Sequence, residues 1–388
     1  MVATIVSPRM MRIGGGAVAQ AAEVLGALGL ARPMVVTDPF MVSSGLVRRL
    51  LDPLAAAGIT PPVFSDTVPD PTETVVEAGV AALRAAGEID CLIGFGGGSP
   101  IDTAKAIAIL AAGGGKMRDW KVPRAADLAA LPILAIPTTA GTGSEVTRFT
   151  VITDTERNEK MLIAGLAALP LAALVDYELT FSVPARTTAD TGIDSLTHAL
   201  EAYVSKRANP YADTMARRAM ALIARNVRVA YAEPGNATAR EAMMLGATLA
   251  GLAFSNSSVA LVHGMSRPIG AHFHVAHGLS NAMLLPAVTA FSLPAALPRY
   301  AEAARAMGIA HEDEGDQAAA ARLVEELRAL NRDLVVPTPR SYGLDEAKWR
   351  ALIPTMAEQA LASGSPANNP RVPSKDEIMA LYEEVWAG

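Results

Sequence analysis

The chain has 388 residues, with 33 Lys and Arg against 39 Asp and Glu, a formal charge of -6, a sequence pI near 5.6 and 51% hydrophobic residues. That length exceeds what a single core usually supports, so two domains are expected, and the acidic balance excludes a broad nucleic-acid surface, which needs clustered cations to meet phosphates. Gly, Pro and charges break the apolar runs short of the roughly twenty residues of a clean membrane span, and Cys91, the single cysteine, can form no internal disulfide.

From the N-terminus, MVATIVSPRMMRIGGG lacks the basic stretch, apolar core and cleavage site of a secretory signal. Together with a thiol expected to be buried in CLIGFG, this makes a reducing cytoplasm the expected compartment. Residues 1–185 then alternate short apolar runs with Ala-rich helical segments. PMVVTD, DCLIGFGGG and LPILAIPTT predict buried parallel strands, because each is short, apolar throughout and closed by turn or polar residues. LVRRLLDPLAAAG and PTETVVEAGVAALRAAG predict the helices between them. The pattern is that of an open α/β sheet covered on both faces, whose ligands bind beyond the carboxyl ends of the strands.

Three strand ends carry distinctive chemistry. Asp38 closes the first run; it either accepts hydrogen bonds from an adenosine ribose, favouring NAD over NADP, or caps the segment PFMVSSG. Gly96, Gly97, Gly98 and Ser99 lead into a helix with Pro100 in its first turn, where backbone N–H groups and the helix dipole suit a pyrophosphate. The three glycines are consecutive, so the segment is neither GxGxxG nor a Walker loop, and a plain glycine turn has the same composition. PTTAGTGSEVT places Thr138 and Thr139 after the third run, suited to a nucleoside or to an ordinary surface loop.

Beyond PARTTAD the strand-like runs stop and residues 186–388 are expected to be all-helical, with PYADTMARRAMALIARNVRVAYA and TAREAMMLGATLAGLAFSNSSVALVHG as long helical segments and the sixteen methionines serving packing. Asp194 and His198, four apart, share one helix face. His263 and His277 converge on them if the chain bends near Pro268 to Gly270. One carboxylate and three imidazoles suit a divalent first-row ion better than magnesium or calcium, and such an ion supplies a Lewis acid. Hydrogen-bonded structural histidines are the plain alternative. Against it, four of the six histidines (His263, His272, His274 and His277) crowd one fifteen-residue segment, while His311 lies in the acidic, solvated HEDEGD.

GGGSPIDTAKAIA, PTTAGTGSEVT followed by VITD, DTGIDSLTHALEAYVS, the HG and NAMLLP elements of residues 263–286, and NPR at 369–371 together resemble the iron-containing, or group III, alcohol dehydrogenase family along nearly the whole chain. The resemblance implies an N-terminal domain (1–185) binding NAD and an all-helical, metal-binding substrate domain (186–388), the fold shared with dehydroquinate synthase-like proteins. It implies ligand roles for Asp194, His198, His263 and His277, with Fe(II) preferred over Zn(II). It also implies phosphate contacts at Gly97, Gly98 and Ser99, Asp102 beside the nicotinamide, and Thr138, Thr139, Ser144 and Lys160 along the cofactor. Phe149 and Phe254 would line the substrate pocket, unless they are core residues.

The activity implied is hydride exchange between NAD(H) and an alcohol/aldehyde pair, first of all a primary alcohol, in a homodimer. Relatives of this kind also reduce maleylacetate, oxidise hydroxy acids or handle diols. The catalytic set departs from the family pattern: Arg267 in VHGMSRP stands where many members carry a histidine assigned to proton relay. Arginine is a poor proton shuttle, so either bound water and the cofactor ribose carry the proton, or His272 or His274 substitutes; the catalytic candidates are these two with His277 and Arg267. Arg267 either binds an acidic substrate group or is a helix-surface residue paired with Glu. A phosphate-eliminating lyase of the shared fold would need a basic phosphate cluster, which the helical motifs lack.

Overall fold

The computed structural model describes residues 2–388, which group into two compact units, Val6–Ser182 and Val183–Gly388, residues 2–5 grouping with the second. The first unit is α/β. Its strands are β1 (Met10–Ile13), β2 (Pro33–Val36), β3 (Val63–Phe64), β4 (Cys91–Gly96), β5 (Ile133–Pro137), β6 (Phe149–Asp154), β7 (Glu159–Ala164) and β8 (Ala172–Val175). Its helices are α1 (Ala21–Ala27), α2 (Pro39–Ser43), α3 (Arg48–Ala56), α4 (Glu73–Ala85) and α5 (Gly98–Gly113).

Six strands form one parallel sheet in the order β1-β8-β5-β4-β2-β3. The three expected strands are its centre, and their continuous apolarity follows from burial on both faces. In β4, Leu92 packs with Val76 and Ile107 of α4 and α5, while Cys91, Ile93 and Phe95 pack with Leu25, Leu50 and Leu54 of α1 and α3. Successive side chains point to opposite faces, and both faces are covered. From β2 the chain runs outward to β3, then returns to β4 and proceeds the other way through β5 to β8. The order therefore reverses between β2 and β4, the position at which sheets of this kind bind ligands. The β6–β7 antiparallel hairpin was not expected; burial alternates along β6, at Thr150, Ile152 and Asp154, but two of these three are polar, so no apolar alternation marked it.

The second unit contains α6 (Ala185–Val204), α7 (Pro210–Ala232), α8 (Ala237–Asn256), α9 (Leu261–Phe273), α10 (His277–Ser292), α11 (Leu297–Met307), α12 (Asp316–Asp333), α13 (Glu346–Ala362) and α14 (Lys375–Ala387), with no strand among its described residues. The run 238–264 is two helices, since α8 ends at Asn256 and α9 departs at 104°. His263 and His277 likewise lie on separate helices. The expected bend at Pro268 does not occur: α9 continues through it, and the chain turns at His274, a left-handed C-cap with φ 56°. A proline forfeits one N–H bond inside a helix, and packing of the flanking buried turns holds α9 continuous here. Residues 277–295 are long and apolar enough to cross a membrane, but 56% of that window is buried within the protein.

Candidate metal centre and dinucleotide turns

Helix α6 is buried along most of its length, and Asp194 and His198 project from one face of it. His263 comes from the first turn of α9 and His277 opens α10. One ligand-type atom from each of the four lies within 4.8 Å of all the others. Asp194 Oδ1 is 3.9, 3.5 and 3.8 Å from Nε2 of His198, His263 and His277. These separations are too long for direct hydrogen bonds but suit a shared cation: an ion about 2.1 Å from four tetrahedral donors keeps them roughly 3.4 Å apart. The donor set and its spacing thus fit a divalent first-row ion.

The surroundings hold the donors in place. The His198 ring stacks on His263 at 4.4 Å and on Phe254 at 4.3 Å between centroids, so Phe254 is a buried wall of the cluster. His263 Nδ1 lies 2.7 Å from Glu201 Oε2, and Glu201 also accepts the backbone N–H groups of Ala260 and Val262 at the start of α9. A carboxylate on Nδ1 fixes the proton there and leaves the Nε2 lone pair facing the cluster. Burial works to raise the Asp194 pKa, but the imidazoles of His198, His277 and His263 outweigh it and hold the carboxylate far below its usual range. For His263 burial lowers the pKa, and Asp194 and Glu201 together turn the shift upward.

Asn281 Nδ2 reaches Asp194 Oδ1 at 2.6 Å, His263 Nε2 at 3.2 Å and His277 Nε2 at 3.3 Å. Glu201 and Asn281 were both missed in the sequence. Each had a signal, three residues after His198 and four after His277, on the ligand-bearing helix faces. Gly278 is required where α10 crosses α6, since a Cβ there would lie 2.4 Å from the Asp190 carbonyl oxygen.

His272 and His274, the substitutes considered for proton relay, stand apart from the cluster, whereas Arg267 lies close to it along α9. His272 Nε2 bonds Gln359, and nine residues of helix, about 13.5 Å of rise, separate it from His263. His274 is exposed at the end of α9. Arg267 is half-buried, one turn beyond His263, and its Nη1 bonds Ser365 Oγ at 2.9 Å. It is neither on the open helix surface nor paired with Glu.

In the first unit, Asp38 follows β2 and caps α2 through the Met41 N–H, while its other oxygen faces Gly96. Both functions named for it in the sequence are therefore compatible with its position. Gly97 begins α5 without a side-chain cap, leaving that helix's first N–H groups open to an anion. The two following turns pack together: a Cβ at Gly97 would touch Thr139, and one at Gly98 would lie 2.7 Å from Thr142 Cγ2. The Ser99 carbonyl accepts from Thr103. Thr138 donates its N–H to the Gly96 carbonyl, and its hydroxyl is buried without a hydrogen-bond partner among the described residues.

Other expected cofactor contacts are engaged within the protein. Asp102 accepts from Ser144 Oγ at 2.6 Å and from the Val151 N–H at 2.9 Å, tying the turn after β5 to α5. Beside it, the fully buried Lys105 donates to Thr147 and to the Phe149 carbonyl. Phe149 is half-buried on β6. Lys160 forms an ion pair with Asp70 at 2.7 Å.

Comparison with known proteins agrees across the chain. Residues 8–177 match the family model for iron-containing alcohol dehydrogenases, and residues 188–386 match the C-terminal model of the Fe-containing alcohol dehydrogenase family. Long-chain-alcohol dehydrogenase 1 of Geobacillus thermodenitrificans (strain NG80-2) is 39% identical over 100% of this chain and 98% of its own. The NAD-dependent methanol dehydrogenase of Bacillus methanolicus is 37% identical over 96% of each. A crystal structure of 1,3-propanediol oxidoreductase superposes with a TM-score of 0.94 at 36% identity, covering 99% of this chain and 100% of that one.

Proposed function

The chain belongs to the iron-containing alcohol dehydrogenase family, and from that premise we propose that it interconverts primary alcohols and aldehydes with NAD(H), using a divalent ion, Fe(II) before Zn(II), held by Asp194, His198, His263 and His277. The observation that carries this reading is the convergence of those four donors from three buried helices. Relatives named for long-chain alcohols, methanol and 1,3-propanediol support the substrate class.

In the oxidation, the C–H bond of the alcohol carbon breaks and its electron pair goes with the hydrogen to the nicotinamide, while the hydroxyl proton passes to solvent. When bound, the divalent ion offsets the negative charge that grows on the alcohol oxygen. Glu201 keeps the His263 lone pair turned to the cluster, and Asn281 donates to the Asp194 carboxylate. Phe254 and the stacked imidazoles exclude water from one side. In residues 1–185, the reading assigns the pyrophosphate to the Gly97–Ser99 turn, the adenosine ribose to Asp38 and the nucleoside to Thr138 and Thr139, supported by the strand-order reversal between β2 and β4.

The engaged side chains of Asp102 and Ser144 act by shaping the turn. The lone buried Cys91 supports a cytoplasmic location, and the protein is inferred to be a homodimer, testable by light scattering.

His263→Ala tests the central assignment. Metal content and NADH formation should both collapse while NAD binding, read by calorimetry, stays within about twofold. Unchanged turnover in rigorously metal-free protein would refute it.

A further inference from the structure

Arg267 has no use in the mechanism above, yet its setting is unusual for an arginine. It occupies α9 four residues beyond His263, on the same helix face and about 6 Å along the axis. Among the described residues it makes one side-chain hydrogen bond, to the neutral hydroxyl of Ser365, and no ion pair. Its remaining guanidinium donors have no acceptor among the described residues, and its nitrogens are not fully enclosed, so they stay available to a ligand. Burial pushes its pKa down to about 10, opposed by the charge of Glu201, so it stays cationic at neutral pH. Glu201 cannot neutralise it further, since both carboxylate oxygens are occupied by His263 and the start of α9.

Charge balance points the same way. A divalent ion and Arg267 bring three positive charges, against two from the carboxylates of Asp194 and Glu201, with neutral imidazoles completing the set. Both carboxylates are committed to the donor cluster and the start of α9, so neither pairs with Arg267, and its charge is left for an anionic group of the substrate. The planar fork of an arginine matches a carboxylate in two-point contact, where a lysine would offer only a point charge.

We propose that Arg267 is a specificity-determining anion site, and that the preferred substrates are short primary alcohols carrying a carboxylate at the far end, together with the corresponding aldehyde acids. This rests on the alcohol–aldehyde reading above and narrows it from primary alcohols in general to ω-hydroxy acids.

The test compares γ-hydroxybutyrate with n-butanol, and succinate semialdehyde with butyraldehyde, in metal-loaded protein with NAD(H). Wild type should favour the anionic member of each pair in kcat/KM. Arg267→Met should lower the anionic-to-neutral ratio by about 10- to 100-fold, the range of a charge-assisted contact, and Arg267→Lys should lower it less.

A second arm needs no turnover. Butyrate, but not butanamide, should bind the metal-free full chain by saturation-transfer NMR, weaken with added salt, and lose binding in Arg267→Met; omitting the metal rules out carboxylate ligation to the ion. A wild-type ratio at or below one, a ratio unchanged in Arg267→Met, or equal binding of butyrate and butanamide overturns the proposal while leaving the dehydrogenase reading intact. Should loaded wild type oxidise neither alcohol, the dehydrogenase reading fails, and the butyrate arm still decides the anion site. If Arg267→Met does not fold, the Arg267→Lys ratio and wild-type butyrate binding decide it.

Discussion

Glu201 is the residue through which the metal reading is most exposed to refutation, because it touches no ion and yet sets one ligand's tautomer. It accepts the Ala260 N–H at 2.9 Å, the Val262 N–H at 2.6 Å and the His263 Nδ1–H at 2.7 Å, all buried. Glu201→Gln keeps the shape but replaces one acceptor oxygen with an NH2 group. If that group faces His263, it donates to Nδ1, moves the imidazole proton to Nε2 and blocks the lone pair needed for coordination. If it faces the helix start instead, it opposes a buried backbone donor at about 1–3 kcal/mol. Loss of such an orienting partner lowers metal affinity by about 10- to 100-fold, or roughly 1.4 to 2.7 kcal/mol. Competition with a chelator of known affinity for Zn(II) or, anaerobically, Fe(II) measures the shift directly, and circular dichroism at the same temperature checks that the helices persist. A purely structural role for Glu201 predicts lower thermal stability with unchanged metal affinity. That result, in a folded variant, would refute the reasoning.

Three further outcomes are expected. Gly278→Ala should lose metal and at least about 1–3 kcal/mol of stability in urea melts, although alanine normally favours a helix by about 1 kcal/mol, because its Cβ would press on the Asp190 carbonyl and shift His277 from Asp194; a neutral or stabilising result would contradict this packing. Asp38→Gly should raise the NADP-to-NAD ratio of kcat/KM at a stability cost of only a few tenths of a kcal/mol, since glycine is a tolerated N-cap; an unchanged ratio counts against the ribose role. Lys105, pushed down to about 8 by burial against the opposing charges of Asp102 and Glu145, is charged in both states below that pH, and the burial penalty is then fully present. Between about 8 and 10.5 the unfolded chain binds the extra proton, so stability rises with pH by up to the order of 3 kcal/mol. Accordingly, the stability of wild type relative to Lys105→Met, from urea melts, should increase as pH is raised from about 7 toward 9.5; a gap independent of pH would show that Lys105 does not titrate in this window.

The α/β sheet was legible where a run buried on both faces is apolar at every position and closed by turn or polar residues, although β8, equally buried, was missed within the Ala- and Leu-rich 166–175. β2, β4 and β5 stood out for that reason. The two-residue β3 is too short to give a pattern, and the β6–β7 hairpin, FTVITD and EKMLIA, alternates in burial but not in polarity, with Thr150 and Asp154 on its buried side. In the helical unit, periodicity gave the α7 segment to the residue, whereas the sharp turn after Asn256 has no proline or glycine to announce it. Proline misled in the opposite direction at Pro268, where the interruption of a single hydrogen bond is outweighed by the burial of Met265, Ile269 and Gly270 around it.

The candidate metal centre depends on those two unannounced turns. His263 reaches Asp194 because α9 leaves α8 at 104°, and His277 reaches it because the chain reverses at His274 and starts a new helix. Neither turn is written in the local sequence. Glu201 is the tertiary cause of the first: by accepting Ala260 and Val262 N–H groups, it caps α9 from another helix, doing at a distance what a Ser or Asp cap does locally. The same carboxylate orients His263, so the direction of α9 and the aim of its ligand are set by one side chain. Spacing alone could therefore propose the four donors but could not supply the geometry that joins them, which comes from Glu201, whose place three residues after His198 put it near the ligands without telling that it caps another helix.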